Sequence, residues 1–311
     1  MRILNISLGM HQTAFINAIN AWAEATGGRC ELINWRAFEN DPYTLNQNII
    51  ATARGLQPEV CIMQLQTGGI FRKEASDYLH SIGCFIIDWC GDLRTDNSHH
   101  YEIAELVDLK LHSNMKDVHE LRDKGYKADY LQIGVDTDFY TPGPSSGQYP
   151  PIVFLGNHYA GRFPESSFRL KMVEALRHHF GDDFGVYGSG YPFPTKALGP
   201  VEERQCYRDA KIFINADHFV YEKFASDRLL RGMACGSMAL TRWFPDMDKE
   251  YTDGVHLRSW DTIEELIDMI EHYLPDPMCD QIASQGSAWI QRTATWEVRM
   301  ERMKELYKKY K

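Results

Sequence analysis

The sequence has no cysteines paired at metal or redox spacing. Its seven cysteines (Cys30, Cys61, Cys84, Cys90, Cys206, Cys235 and Cys279) include no C-x-x-C pair, and most lie in apolar runs such as EVCIMQL and IGCFIID. That pattern excludes a zinc ribbon or a thioredoxin-like motif and fits buried free thiols in a reducing compartment. The twelve histidines lack H-E-x-x-H spacing, and His99 and His100 are sequential, so spacing alone predicts no metal centre. Long apolar runs are also missing. The opening MRILNISLGMHQTAF has only a short strand-like run with no small-residue cleavage pattern after it. Neither a signal peptide nor a membrane span is expected, and the expected location is the cytoplasm. Positive charge is in deficit, with 33 Lys plus Arg against 43 Asp plus Glu and a formal net charge of -10. The surface as a whole therefore repels polyanions, although a local basic groove remains open.

What is present points to two α/β domains. A chain of 311 residues exceeds one ordinary core, and 44% apolar content is enough to fill two. Short apolar runs alternate with helical periods: RILNISL, HQTAFINAINAWAEAT, RCELINW, NQNIIATARGL, EVCIMQLQ, KEASDYLHSIG, CFIIDW, HYEIAELVD. Strand and helix in turn predict a parallel sheet wound on both faces. Residues 130–151, YLQIGVDTDFYTPGPSSGQYPP, are crowded with Pro, Gly and Ser and read as a linker, after which PIVFLGN restarts the alternation. The expected domains are 1–142, 143–290 and a final helical segment 291–311 that packs back on the first. Two such Rossmann-like halves, facing across a cleft, would gather helix N-termini and glycine turns around a phosphate-bearing ligand.

Residues at strand ends supply the candidate donor site. Gly156 and Asn157 close the PIVFLGN strand, where a glycine allows backbone N–H groups close to an anion; Arg162 and Arg169 follow as phosphate partners. Gly188 and Gly190 close FGVY in the same way. In residues 219–241, FVYEKFASDRLLRGMACGSMALT, Ser226 or Asp227 is placed to cap a helix, with Arg228 and Arg231 on one face and Gly236 ending it. Two arginines behind a capping residue predict a bidentate phosphate site. On the acceptor side, Gly9 and His11, Gln66, and Trp89, Asp92 and Arg94 all follow apolar strands. Asp92 is the expected general base for an attacking hydroxyl, and Trp89 a stacking surface.

The stretch YLQIGVDTDFYTP resembles the interdomain signature of group 1 glycosyltransferases of the GT-B fold. SDRLLRGMACG resembles that superfamily's donor-diphosphate helix. The layout over nearly the whole chain is similar to CgeB-like glycosyltransferases and their phage-encoded relatives. The resemblance implies transfer of a sugar from a nucleotide-diphosphate donor, a UDP-sugar first, to a hydroxyl acceptor, without cofactor or active-site metal. It departs at one point: Lys223 and Arg231 stand where the family usually carries two glutamates, with Glu222 one residue away. The D-x-D matches Asp136–Asp138 and Asp246–Asp248 lie outside the expected metal context. DNA carrying 5-hydroxymethylpyrimidine is one implied acceptor, with Arg72, Lys73, Arg94, Lys110 and Lys116 as a basic rim; a polysaccharide, a protein hydroxyl, or an inactive nucleotide-sugar-binding module are the alternatives.

Overall fold

In the computed structural model, which describes residues 1–9 and 13–311, the chain divides into two units. The first contains Met1–Gly134 together with Trp296–Lys311, and the second is Val135–Thr295. These boundaries differ from 142 and 290. The segment after Gly134 is held by the second unit, where Tyr140 donates to Glu203 and the Thr141 carbonyl accepts from Arg208.

The first unit runs β1 (Ile3–Ser7), α1 (Thr13–Ala25), β2 (Cys30–Asn34), α2 (Pro42–Leu56), β3 (Val60–Met63), α3 (Lys73–Ser81), β4 (Phe85–Cys90), α4 (Ser98–Ala104), β5 (Leu109–His112), α5 (Met115–Asp123) and β6 (Ala128–Tyr130). The strands form one parallel sheet in the order β2-β1-β3-β4-β5-β6. β1, β3, β4 and β5 are buried along their whole length, as central strands covered on both faces must be. Alternation sends Phe85, Ile87 and Trp89 into one core and Ile86 into the other. The helix starts are chemically marked: Asp41 Oδ1 accepts from Thr44 N ahead of α2, and Asn114 Oδ1 accepts from Asp117 N ahead of α5.

The second unit runs β7 (Ile152–Leu155), α6 (Ser166–Phe180), β8 (Phe184–Tyr187), α7 (Pro200–Asp209), β9 (Ile212–Asn215), α8 (Asp227–Ala234), β10 (Met238–Arg242), β11 (Arg258–Trp260), α9 (Ile263–Tyr273) and α10 (Met278–Thr293). Its sheet is also parallel, in the order β11-β10-β9-β7-β8. The chain passes from β7 to β8 on one side and then crosses back to place β9 on the other side of β7. In such sheets the crevice at the carboxyl ends of the diverging strands is where ligands bind.

Helix α8 ends as its sequence suggests. Gly236, at φ +88°, donates to Met233 O, while Ser237 N reaches back to Gly232 O, the paired bonds of a Schellman cap. The last helix, α11 (Trp296–Tyr310), belongs to the first unit. Its Trp296 packs on Phe15 at 4.7 Å and on Trp89 at 5.0 Å between ring centroids.

Candidate functional site

The β7/β9 switch point brings together most of the donor-side residues. Gly156 and Asn157 leave β7, Gly188–Gly190 leave β8, Asp217 and His218 leave β9, and Ser226–Arg228 open α8. The glycines at 188 and 190 are required by the neighbouring loop. A Cβ on Gly188 would lie 2.1 Å from Gly156 O, and one on Gly190, at φ +83°, would lie 2.2 Å from His158 O. Asn157 ties the two loops together, its Oδ1 accepting from Ser189 N at 2.9 Å and Ser189 Oγ at 3.1 Å. Tyr191 OH donates to Gly156 O at 2.9 Å.

Arg169 lies beneath this loop on α6, 2% exposed. One Nη2 donates to Asn157 O at 3.3 Å, and the guanidinium sits 5.2 Å over the Phe154 ring, but Nη1 is buried without a hydrogen-bond partner. Burial, reinforced by the nearby Arg228, lowers its pKa to about 10. Burial and then Arg169 and Arg228 push the neighbouring His218 down to about 3. Two cations thus press on one neutral imidazole, and the carboxylate between them is Asp217. It accepts from Arg228 Nη2 at 3.1 Å and from Ser226 N at 3.2 Å.

Several donor-side expectations change here. Ser226 starts α8 by its backbone, yet its hydroxyl donates to Asn215 Oδ1 at 3.3 Å instead of capping the helix. Arg231 does not share a ligand face with Arg228. Its fork is engaged by Asp227 at 2.8 Å and Glu203 at 3.3 Å, and it lies 5.2 Å over the Tyr140 ring. Burial alone would raise the Asp227 pKa, but Arg231 and Arg228 outweigh it and hold the carboxyl below its ordinary range. Arg162 is exposed on the β7 loop, packed over Tyr159 and Phe163, away from the buried Arg169 guanidinium. Lys223 adopts φ +57° with its amide donating to Pro245 O at 2.9 Å.

Asp217 and His218 were missed in the sequence, although they follow the apolar run KIFINA just as Gly156 and Asn157 follow PIVFLGN. The two D-x-D matches are turns. Asp136 Oδ1 accepts from Phe139 N at 3.1 Å, and Asp246 is paired with Lys249 at 2.6 Å. A cavity of about 630 Å³ lined by Thr141, Arg208, Lys211, Gly236 and Gln291 lies by the residues that precede β9 and β10, at the amino edge of the sheet and away from these groups.

In the first unit, the corresponding edge carries Gly9, Gln66, Asp92 and Arg94; His11 lies outside the described residues. Gly9 has φ +66°, and a Cβ there would meet Asn34 Nδ2 at 2.8 Å. Gln66 accepts from Arg36 at 3.1 Å. Asp92 and Arg94 are exposed on the loop after β4. Trp89 is not a stacking surface. As the odd-face residue of β4 it is 2% exposed, packed on Phe15 and Trp296, with Nε1 donating to Leu131 O at 2.9 Å.

The basic rim also shrinks. Lys110 is fully buried and paired with Asp88, Lys73 pairs with Asp77 at 2.7 Å, and Lys116 with Glu120 at 2.7 Å. Burial raises the Asp88 pKa against the pull of Lys110.

On the same face of the sheet, the fold gathers Cys90, His100 and His112, all buried. Burial pushes the Cys90 thiol up to about 12 and, with Lys110 and the adjacent rings, holds both imidazoles well below their usual pKa.

Residues 169–305 match the family model described as glycosyl transferase-like. Comparison with curated protein sequences finds no match. The fold is that of solved GT-B glycosyltransferases. Anabaena HepE in complex with UDP and glucose shares 11% identity with a TM-score of 0.68, over 99% of each chain. The glycosyltransferase from Rickettsia africae ESF-5 shares 9% identity with a TM-score of 0.69, over 99% of this chain and 98% of that one. A putative UDP-N-acetylglucosamine 2-epimerase from Listeria monocytogenes has a TM-score of 0.60 at 11% identity, covering 99% and 96%. The family match and the fold together support a glycosyltransferase. No helix among the described residues is long and apolar enough to cross a membrane.

Proposed function

We propose that this protein transfers a sugar from a nucleotide-diphosphate donor, UDP-linked in the first instance, to a hydroxyl acceptor. The observation that carries the reading is Arg169, buried beneath the β7 loop with its Nη1 unpartnered, together with Arg228 in the first turn of the neighbouring α8. A buried charged donor left unpaired costs about 1–3 kcal/mol or more, and a diphosphate oxygen is the anion that relieves it. Asn157 and Ser189 shape the loop over that anion, and Asp217 holds Arg228 in position. The UDP bound by HepE motivates the choice of base.

In the reaction the bond from the sugar C1 to the diphosphate oxygen breaks and a bond from C1 to the acceptor oxygen forms. Arg169 and Arg228 stabilise the charge on the departing diphosphate, and Asp92 takes the acceptor proton. Cationic side chains serve the diphosphate where a metal serves in other folds. Arg231 plays no direct part in this scheme. It braces α8 through Glu203 and Asp227. Six of the seven free cysteines are buried, which suits a reducing, cytoplasmic setting.

The test is calorimetric titration with UDP, GDP, ADP and their sugars. It is followed by turnover with a panel of glycans, peptides and DNA containing 5-hydroxymethylcytosine or 5-hydroxymethyluracil. Acceptor-dependent release of the nucleotide diphosphate, abolished in Asp92→Ala, is the expected result. Failure of every nucleotide diphosphate to bind removes the proposal. Tight binding without turnover on any acceptor points to a nucleotide-sugar-binding module, and release without acceptor points to hydrolysis or epimerisation. A mass increment on DNA would assign the phage-type chemistry, and its absence with a donor that binds would rule DNA out.

A further inference from the structure

Cys90 closes β4 and His112 closes β5, and the two residues are partners in the parallel register of these strands. Register partners in neighbouring strands project from the same face about 4.8 Å apart. One step back along the strands, Asp88 and Lys110 are partners as well and form a buried ion pair. Trp89 and Leu111 project from the other face into the apolar core. His100, in the first turn of α4, closes over the Cys90–His112 pair, its ring 4.5 Å from that of His112 and nearly perpendicular to it.

The three side chains are 1%, 1% and 0% exposed. Each offers a ligand atom within 4.8 Å of the others. Neither ring nitrogen of His100 and neither of His112 has a hydrogen-bond partner. An imidazole has one donor and one acceptor to satisfy, and leaving buried polar groups unpaired costs about 1–3 kcal/mol each. Packing alone does not explain two such rings side by side with a thiol.

We propose that Cys90, His100 and His112 bind one divalent transition-metal ion, zinc by preference. One thiolate and two imidazoles form the mixed soft and borderline donor set that zinc takes in tetrahedral sites. With bonds of about 2.0–2.1 Å to nitrogen and 2.3 Å to sulfur, a tetrahedral site brings its ligand atoms to about 3.5 Å from each other. The present separations, 4.8 Å at most, leave about 1 Å to be closed on binding. Asp117, whose Oδ2 is 3.7 Å from His112 Nδ1, is the carboxylate beside the cluster, and it is itself fixed by Asn97 and Asn114. His99 stacks on His100 at 3.8 Å with a buried, unpartnered Nε2, at the edge where a fourth ligand or a water completes the shell.

The positive charge of Lys110 is already matched by Asp88, so it does not oppose a cation bound as its thiolate complex. The ion would also anchor the loop that follows β4, which is tied down by Cys90 Sγ facing Asp92 O at 3.6 Å and by Ser113 Oγ donating to Gly91 O at 3.1 Å. None of its groups lies among the donor-side residues, and metal retention is measured without turnover, so the test stands apart from the transferase reading even though the ion would sit beside the loop that carries Asp92.

The experiment uses the tag-free full-length chain, expressed with zinc in the medium and dialysed against metal-free buffer. Elemental analysis is expected to find about one zinc per chain, and chelation to lower the unfolding temperature. Exchange with cobalt(II) is expected to produce intense visible bands of tetrahedral coordination together with a thiolate-to-cobalt charge-transfer band. That band disappears in Cys90→Ser and persists in Cys84→Ser, whose thiol is buried among apolar side chains. The proposal is overturned if neither metal is retained by the wild-type chain. It is equally overturned if Cys90→Ser and His112→Gln retain the metal as the wild type does. Should those variants fail to fold, the wild-type spectrum still decides, since the charge-transfer band requires a cobalt–sulfur bond.

Discussion

Arg228 and Arg231 belong to the same short helix, yet their surroundings predict opposite phenotypes. Arg228 gives one Nη2 contact to Asp217 at 3.1 Å, and its side chain is 28% exposed. Hydrogen bonds to charged groups contribute about 1.5–3 kcal/mol, so Arg228→Ala is expected to raise the Kd for UDP by about 10- to 150-fold. Asp217 would retain its bonds from Ser226 N and Asn215 Nδ2, which limits the loss of stability to about 1–2 kcal/mol.

Arg231 holds Asp227 and Glu203 together. Removing one partner of a fully buried pair costs about 3–5 kcal/mol, and for a side chain nearly one-third exposed solvent screening reduces this to about 1–3 kcal/mol. At roughly 2–4 °C per kcal/mol for a unit of this size, Arg231→Ala is expected to lower Tm by about 2–12 °C. Its UDP affinity, measured well below that transition, should stay within about twofold of wild type. Titration calorimetry and differential scanning calorimetry in one buffer measure both quantities. Equal losses of UDP affinity in the two variants, or an Arg228→Ala protein that binds like wild type, would refute the division of roles.

Gly190→Ala places a Cβ against His158 O in a left-handed backbone and is expected to destabilise by more than about 2 kcal/mol and to weaken UDP binding; an unchanged urea midpoint would count against the loop packing. Trp296→Ala, which strips the contact shared by Phe15 and Trp89, should cost about 3–5 kcal/mol in chemical denaturation of the full chain. His218 titrates at about 3 in the folded protein, against about 6.5 when unfolded, so the unfolded chain binds the extra proton between those values. Its stabilising contribution is complete above about pH 6.5 and is lost as pH falls toward the folded value. His218→Phe should therefore flatten the decline of Tm between about pH 6.5 and 4, and an identical slope in the variant would reject the assignment.

The alternation of strands and helices was legible over most of the chain because the central strands are short and mostly apolar, whereas the three-residue edge strands β6 (Ala128–Tyr130) and β11 (Arg258–Trp260) carry too few apolar residues to stand out. The Schellman end of α8 was legible because Gly236 follows the last apolar turn of the helix. Partners across the fold were not legible. Arg231 looks like a phosphate ligand beside Arg228 until α7 brings Glu203 to within 3.3 Å of it. Lys110 reads as a surface cation until its register with Asp88 buries it. Trp89 reads as a rim residue because it ends an apolar run, but β4 is covered on both faces and the indole enters the core shared with Phe15 and Trp296. The Cys90–His100–His112 cluster escaped a search by spacing because its members come from a strand end, a helix start and the end of the next strand, joined only by topology.

Trp296 rests on Phe15, so the first unit contains a contact that spans almost the whole chain, while Val135–Thr295 is continuous in sequence. This orders the events of synthesis. A nascent chain emerges from its amino end, and domains tend to fold as units once their residues are available. The second unit has all of its residues before Trp296 is made, whereas the first, begun earlier, must wait with the α1 face of its sheet only partly covered until α11 arrives. A chain released after residue 295 would hold a complete second unit and an incomplete first one. Protease sensitivity of that truncated chain should concentrate in Met1–Gly134, the residues that were translated first.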